Sequence, residues 1–207
     1  MSKAQKIGSV MLLVIALSSF SLTLEFNGDA YAKVSDDVLW NAEKPLQWAD
    51  FSGTPDYGND FVKALTASSI RYSYGCENGY INYHIESVFK KSQSWVKEEA
   101  RTTYHLNHEQ LHFDITELYA RKLRDALDKE QFPCHRMYAF EQTIRQYLRD
   151  WRNEQTTYDK ETFFSVKREQ QADWEFEIRL LLNTDTYLQT EIKEENESQK
   201  KSRYIFE

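Results

Sequence analysis

The sequence predicts an α+β domain: a small antiparallel sheet followed by about three helices, the first of them long and central. Three observations predict it. Apolar residues alternate with a period of two on either side of an Asn78-Gly79 dipeptide. Further on they recur at three- and four-residue steps over long stretches. The strands come first and the helices after, rather than in alternation.

The chain begins with Lys3 and Lys6, an apolar run from Ile7 to Leu24, and a small-x-small sequence at Ala30-Tyr31-Ala32. That is the layout of a cleaved export signal, so residues 1–32 are expected to be a signal peptide. The run is about long enough to span a thinned bilayer, but its serines and small-residue end favour removal over a retained membrane anchor. No cysteine near the cleavage site offers a lipid attachment. Removal leaves 207 − 32 = 175 residues, a length suited to one domain, expected over residues 33–190. The expected destination is the periplasm or the outside of the cell.

Residues 33–60 set Trp40, Trp48 and Phe51 among Pro45, Gly53, Pro55 and Gly58, an irregular segment pinned by aromatics. From Thr66 to Cys76, Ile70, Tyr72, Tyr74 and Cys76 fall on one face and Ser69, Arg71 and Ser73 on the other. After the tight turn, Ile81, Tyr83, Ile85 and Phe89 continue the alternation, which predicts a hairpin. Ser94 is placed to cap a helix beginning at Trp95 and Val96, with Glu98 near the capping-box position. Leu111, Ile115, Leu118, Leu123 and Leu127 carry the helical period to about Asp128, and Pro133 stops it. A second helix is expected from Met137 to Glu154, a polar loop over 155–162, and a third helix from Val166 to Leu182. Residues 191–207 are charged and aperiodic, the pattern of a flexible tail.

The net charge is −7, which argues against nucleic acid as the main partner. Thirteen Tyr, 12 Phe and 5 Trp supply ample core-forming surface outside the tail. In an oxidising compartment Cys76 and Cys134 are candidates for a single disulfide; two free buried thiols are the alternative.

Within the long helix stands His108-Glu109-Gln110-Leu111-His112, an H-E-x-x-H. Residues four apart on a helix share a face, offset by about 40°, so both imidazoles present to one point. Zinc accepts histidine nitrogens at about 2.0–2.1 Å, so one zinc ion per chain can bridge them. Glu109 lies about 100° round the helix from His108, placed to act on a water as general base without being a ligand. The blander reading is two surface histidines on an amphipathic helix. His105 falls close to the same face, where it is expected as a rim residue or cap, with an extra ligand as the alternative. Asp114 turns to the far side, where Arg121, Lys122 or a long-range hydrogen bond could satisfy it. Catalytic zinc usually takes three protein ligands. His135, Glu141, Asp159 and Glu161 are candidates for the third, and their chemistry alone does not choose among them.

These stretches resemble the DUF922 group of predicted secreted bacterial zinc-dependent proteases. The resemblance rests on "ALTASSIRYSY" (64–74), "SWV" with Trp95 and Val96, "NHEQLHFDITELYARKLRDAL" (107–127), "TTYDKET" (156–162) and "QQADW" (170–174). It implies export, a zincin-like domain and metal-dependent peptide hydrolysis, with His108 and His112 as ligands and Glu109 as base. It also draws attention to Asp159 as third ligand. The group's pattern often places a histidine one or two positions after the threonine of Y-D-x-x-T; here those positions are Phe163 and Phe164, a departure that weighs against metal binding or activity.

Other positions have two readings each. Tyr158 is either an oxyanion donor or a core tyrosine. Gln170 and Trp174 are expected to pack the third helix onto the first. Arg121 and Arg124 are expected to pair with Asp114 or Glu117 rather than with substrate. The function expected is that of an exported zinc metallopeptidase acting on a peptide or protein. The alternatives are a catalytically inactive exported metal- or partner-binding domain of the same shape and a structural envelope protein with incidental histidines.

Overall fold

Residues 68–89 form the hairpin that organises the sheet. β3 (Ser68–Glu77) and β4 (Tyr80–Phe89) pair antiparallel with Tyr72 opposite Ile85, Tyr74 opposite Tyr83 and Cys76 opposite Ile81. Asn78 and Gly79 turn the chain with φ of 51° and 85°, the left-handed pair that a two-residue hairpin loop requires. β1 (Val38–Leu39) adds to the other edge of β4, giving the order β1-β4-β3. β2 (Ala64–Leu65) and β5 (Trp95–Val96) make a second, two-stranded sheet. The computed structural model describes residues 37–183, all within a single unit that begins at Asp36. The expected signal peptide at 1–32 and charged tail at 191–207 lie outside the described residues.

α1 (Thr103–Glu130) packs against β3 and β4, and α2 (Met137–Thr162) returns along α1. α3 covers residues 168–183. The main core joins Ile70, Ile81 and Ile85 of the sheet to Leu111, Ile115, Leu118, Leu123 and Leu127 of α1. Phe140, Ile144 and Tyr158 of α2 and Ile178 and Leu182 of α3 complete it. A second cluster, with Leu46, Phe51, Phe89, Val96 and Phe113, pins the irregular segment before β2. At Gly53 a Cβ would lie 2.8 Å from the Ser94 carbonyl oxygen and 2.9 Å from that of Ser92, so that contact admits only glycine. Cys76 and Cys134 form a disulfide, tying the hairpin tip to the α1–α2 connector with Cα atoms 5.7 Å apart. Among the described residues, no helix is long and apolar enough to cross a membrane.

Two helix boundaries differ from expectation, and both bear on the site. α1 does not begin after Ser94. Trp95 and Val96 are aromatic and β-branched and pair as a strand. Ser94 Oγ instead donates to Lys90 O and accepts from Ala67 N, both at 2.9 Å. The cap is Thr102, whose side chain accepts from His105 N at 3.2 Å. The second helix does not stop at Glu154. Residues 155–162 contain no Gly or Pro to break it, and α2 runs on to Thr162. It ends at Phe163, Phe164 and Ser165, three consecutive left-handed residues with φ of 49°, 53° and 69°. Asp159 and Glu161 are therefore helical residues, not loop residues.

Candidate metal centre

The continuation of α2 is what brings Asp159 to the H-E-x-x-H. Asp159 Oδ1 lies 3.4 Å from His108 Nε2 and 3.1 Å from His112 Nε2. One ligand atom from each of the three residues falls within 4.8 Å of the others, so the group could hold a metal ion. A tetrahedral ion with bonds of about 2.0–2.1 Å separates its ligands by about 3.3 Å, which the two measured distances bracket. Two buried atoms here have no hydrogen-bond partner among the described residues: His108 Nδ1 and Glu109 Oε2. Leaving buried polar atoms unsatisfied is costly, and such atoms concentrate where a water, ion or substrate is to be received.

The rings are held differently. His108 stacks on Tyr158, centroids 4.6 Å apart and planes at 27°. His112 is gripped by Gln155: Oε1 stands 2.5 Å from the ring Nδ1, and Nε2 donates to the His112 carbonyl oxygen at 2.8 Å. Burial alone would raise the Asp159 pKa, but hydrogen bonds and charge from both histidines hold it well below the usual carboxylate range. Burial alone would lower His112, but the hydrogen bond and charge of Asp159, with Glu109 and Gln155 adding, carry it above its usual value.

His108, Glu109, His112 and Asp159 line a cleft of about 510 Å³. One wall is the chain from Val62 to Ser68; the other is the face of α2 presenting Trp151, Arg152, Gln155, Thr156 and Asp159. Thr66 Oγ1 donates to the Glu109 carbonyl at 3.0 Å, seating the first wall on α1. His105 lines the cleft at its rim and contacts Thr102 Oγ1 at 2.8 Å.

The other candidate ligands lie elsewhere. Glu161 accepts from Trp174 Nε1 at 2.8 Å. Glu141 binds Tyr74 OH at 2.8 Å and Arg145. His135 sits in the turn between α1 and α2, at the opposite end of the helix pair. Phe163 and Phe164 offer no ligand atom, and the group that could hold an ion consists of His108, His112 and Asp159.

One further expectation is corrected, that for Gln170, and two open alternatives, at Asp114 and Tyr158, are resolved. Of the alternatives for Asp114, the long-range hydrogen bond is the one present: it accepts from Trp40 Nε1, and from Gln110 Nε2 on its own helix, each at 2.8 Å. Gln170 is exposed, and its neighbour Gln171 is the buried one, reaching Tyr104 O and Glu175. Tyr158 is a core residue whose hydroxyl donates to His108 O at 3.4 Å. Arg121 and Arg124 both bind Glu117, as expected. Gln155 and the 62–68 wall were not singled out from sequence. The i, i+4 relation of Gln155 to Asp159 is the signal that a longer α2 would have exposed.

A family model described as "Bacterial protein of unknown function (DUF922)" matches residues 53–165, which take in the hairpin, α1, α2 and all four cleft residues. No curated protein and no solved structure matches the chain.

Proposed function

The chain belongs to the DUF922 family, and we propose that it is an exported metallopeptidase holding one zinc ion between His108, His112 and Asp159. The observation that carries this reading is the convergence of three ligand atoms, all within 4.8 Å of one another, beside Glu109 in a cleft. Two imidazoles and one carboxylate form a donor set suited to zinc, and one coordination position stays open.

The 62–68 wall of the cleft offers a path for substrate. Lys63 O accepts from Lys97 N, Ala67 N donates to Ser94 Oγ, and Ala67 O accepts from Lys90 N. These bonds, with Leu65 opposite Trp95, turn alternate residues toward β5. Ala64 and Thr66 therefore turn their amide groups to the other edge, which has no strand beside it among the described residues. That stretch lines the cleft. It supports binding of an extended peptide by backbone pairing, with specificity left to side-chain pockets.

Zinc, when bound, supplies Lewis acidity that polarises a scissile carbonyl and acidifies water. Glu109 Oε2, buried and without a hydrogen-bond partner among the described residues, takes the proton of the attacking water and returns it to the leaving amine. Asp159, His108 and His112 hold the ion; the 62–68 strand orients the peptide.

A second reading keeps the ion and drops the chemistry, giving an exported binding domain with the same zincin-like shape. The phenylalanines at 163 and 164 favour it. One experiment separates the two. Metal content and peptide hydrolysis are measured on purified protein, on His112→Ala and on Asp159→Ala. One zinc per chain, lost in both variants together with hydrolysis, bears out the peptidase. Stoichiometric zinc without hydrolysis of any peptide in a broad library supports the binding domain. No zinc in the parent sinks both.

A further inference from the structure

Gln155 makes two hydrogen bonds to a single residue of another helix. Its Nε2 faces the His112 carbonyl oxygen at 2.8 Å and its Oε1 faces the His112 ring at 2.5 Å. The orientation of the amide follows from the partners rather than from choice. A backbone carbonyl only accepts, so the NH₂ end must face it. The oxygen end then faces Nδ1, and Nδ1 must carry the proton. In the neutral ring the lone pair is thereby left on Nε2, the atom that points at Asp159 Oδ1.

We propose that Gln155 is a positioning residue for the metal centre: it selects the His112 tautomer that offers Nε2 to the ion and fixes the plane of the ring. The proposal rests on the metal reading above. A metal-bound histidine commonly donates its other N–H to a fixed acceptor, and losing that acceptor typically weakens metal binding by about 10–100-fold.

The clamp is itself braced. Gln155 Nε2 also reaches Thr116 Oγ1 at 3.1 Å, as does Trp151 Nε1. Thr116 Oγ1 donates to His112 O at 2.9 Å and meets Ser68 Oγ at 2.7 Å. The brace thus links the start of β3, α1 and α2 at one point. A glutamine suits the position better than a glutamate, because it both accepts from the ring and donates to the carbonyl, and it adds no third negative charge beside Glu109 and Asp159. Among the described residues His108 has no equivalent: its Nδ1 is buried without a partner there, and the ring stacks on Tyr158 instead. The two histidine ligands are therefore unequal, and Gln155 acts on one of them.

The test is zinc affinity, by competition with a chromophoric chelator, for the parent and Gln155→Met, which keeps volume and loses both hydrogen bonds. Nitrogen-15 NMR of the imidazoles in the zinc-loaded parent is the second readout. The expected results are a loss of about 10–100-fold in affinity and a His112 ring protonated at Nδ1, whose N–H signal moves in Gln155→Met. Equal affinity in parent and variant, or a His112 ring bonded to zinc through Nδ1, overturns the positioning role and leaves the metal site standing. A parent that binds no zinc overturns both, and the parent titration alone reveals that case. Should Gln155→Met not fold, the imidazole spectrum of the parent still decides.

Discussion

The Tyr158 ring lies 4.6 Å from that of His108, nearly parallel to it, and its hydroxyl donates to the His108 carbonyl oxygen at 3.4 Å. Tyr158 is fully buried and also meets Trp174 of α3, ring centroids 5.4 Å apart. It is the floor on which the candidate metal site rests. Tyr158→Ala is expected to destabilise the fold by about 3–5 kcal/mol, the usual cost of removing a buried aromatic ring. Tyr158→Phe keeps the stacking and loses one long hydrogen bond, so about 1 kcal/mol or less is expected. Urea denaturation measures both; similar losses in the two variants would mean that the hydroxyl, not the ring, does the work.

Glu109 contributes no ligand atom to the group and lines the cleft beside it. Glu109→Gln is expected to keep zinc at parental stoichiometry and to lower peptide turnover by about 10²–10⁴-fold, the range for removing a general base. Metal analysis and a fluorogenic peptide assay on one preparation check this. Turnover persisting near the parental rate would remove Glu109 from the mechanism.

Opposite pKa shifts meet at Asp159 and His112, and they set a pH window for the metal-free protein. Asp159 is depressed, so its contribution is present above the unfolded value of about 3.9 and is lost as pH falls through the folded value. His112 is raised, so its contribution is present below the unfolded value of about 6.5 and is lost as pH rises through the folded value. Both are in place between those unfolded values. Chelator-treated protein is expected to melt at a lower temperature at about pH 8 than at about pH 5.5, with a smaller difference in Asp159→Asn. Zinc, which competes with the proton for His112, should restore more stability at the higher pH. Identical pH dependence in parent and variant would disprove the coupling.

The Cys76–Cys134 bridge closes a long loop, with a sequence separation of 58. The chain-entropy model assigns such a bridge about 4 kcal/mol. Cys76→Ser with Cys134→Ser is expected to lower unfolding stability by that order, as is reductant added to the parent. A denaturation midpoint insensitive to both would show that the connector is held by packing alone.

Much of this was legible in the residues. The hairpin announces itself by alternation around Asn78-Gly79, and His108, Glu109 and His112 by their spacing on a helix. Local pattern could not show where the helices begin and end. Trp95 and Val96 fit a helical stripe and a strand equally well until Ala64 and Leu65 supply a partner. Asp159 drew attention through the Y-D-x-x-T stretch, but its reach depends on α2 continuing past Glu154, which no breaker in 155–162 forbids. Trp40 binds Asp114 from 74 residues away, and a pairing so distant leaves no trace in either neighbourhood. The two-residue β2 is too short to have a period at all.

The disulfide and the candidate metal site sit at opposite ends of the α1–α2 pair. Cys134 staples the connector to the hairpin, while His108, His112 and Asp159 face one another where α1 begins and α2 ends. The pair thus resembles tongs, covalently riveted at the joint and held at the jaws by side-chain contacts alone. Losing the ion should leave the riveted end as slow to exchange its amide hydrogens as before. Exchange should quicken over roughly 103–115 and 155–165, the stretches nearest the ligands.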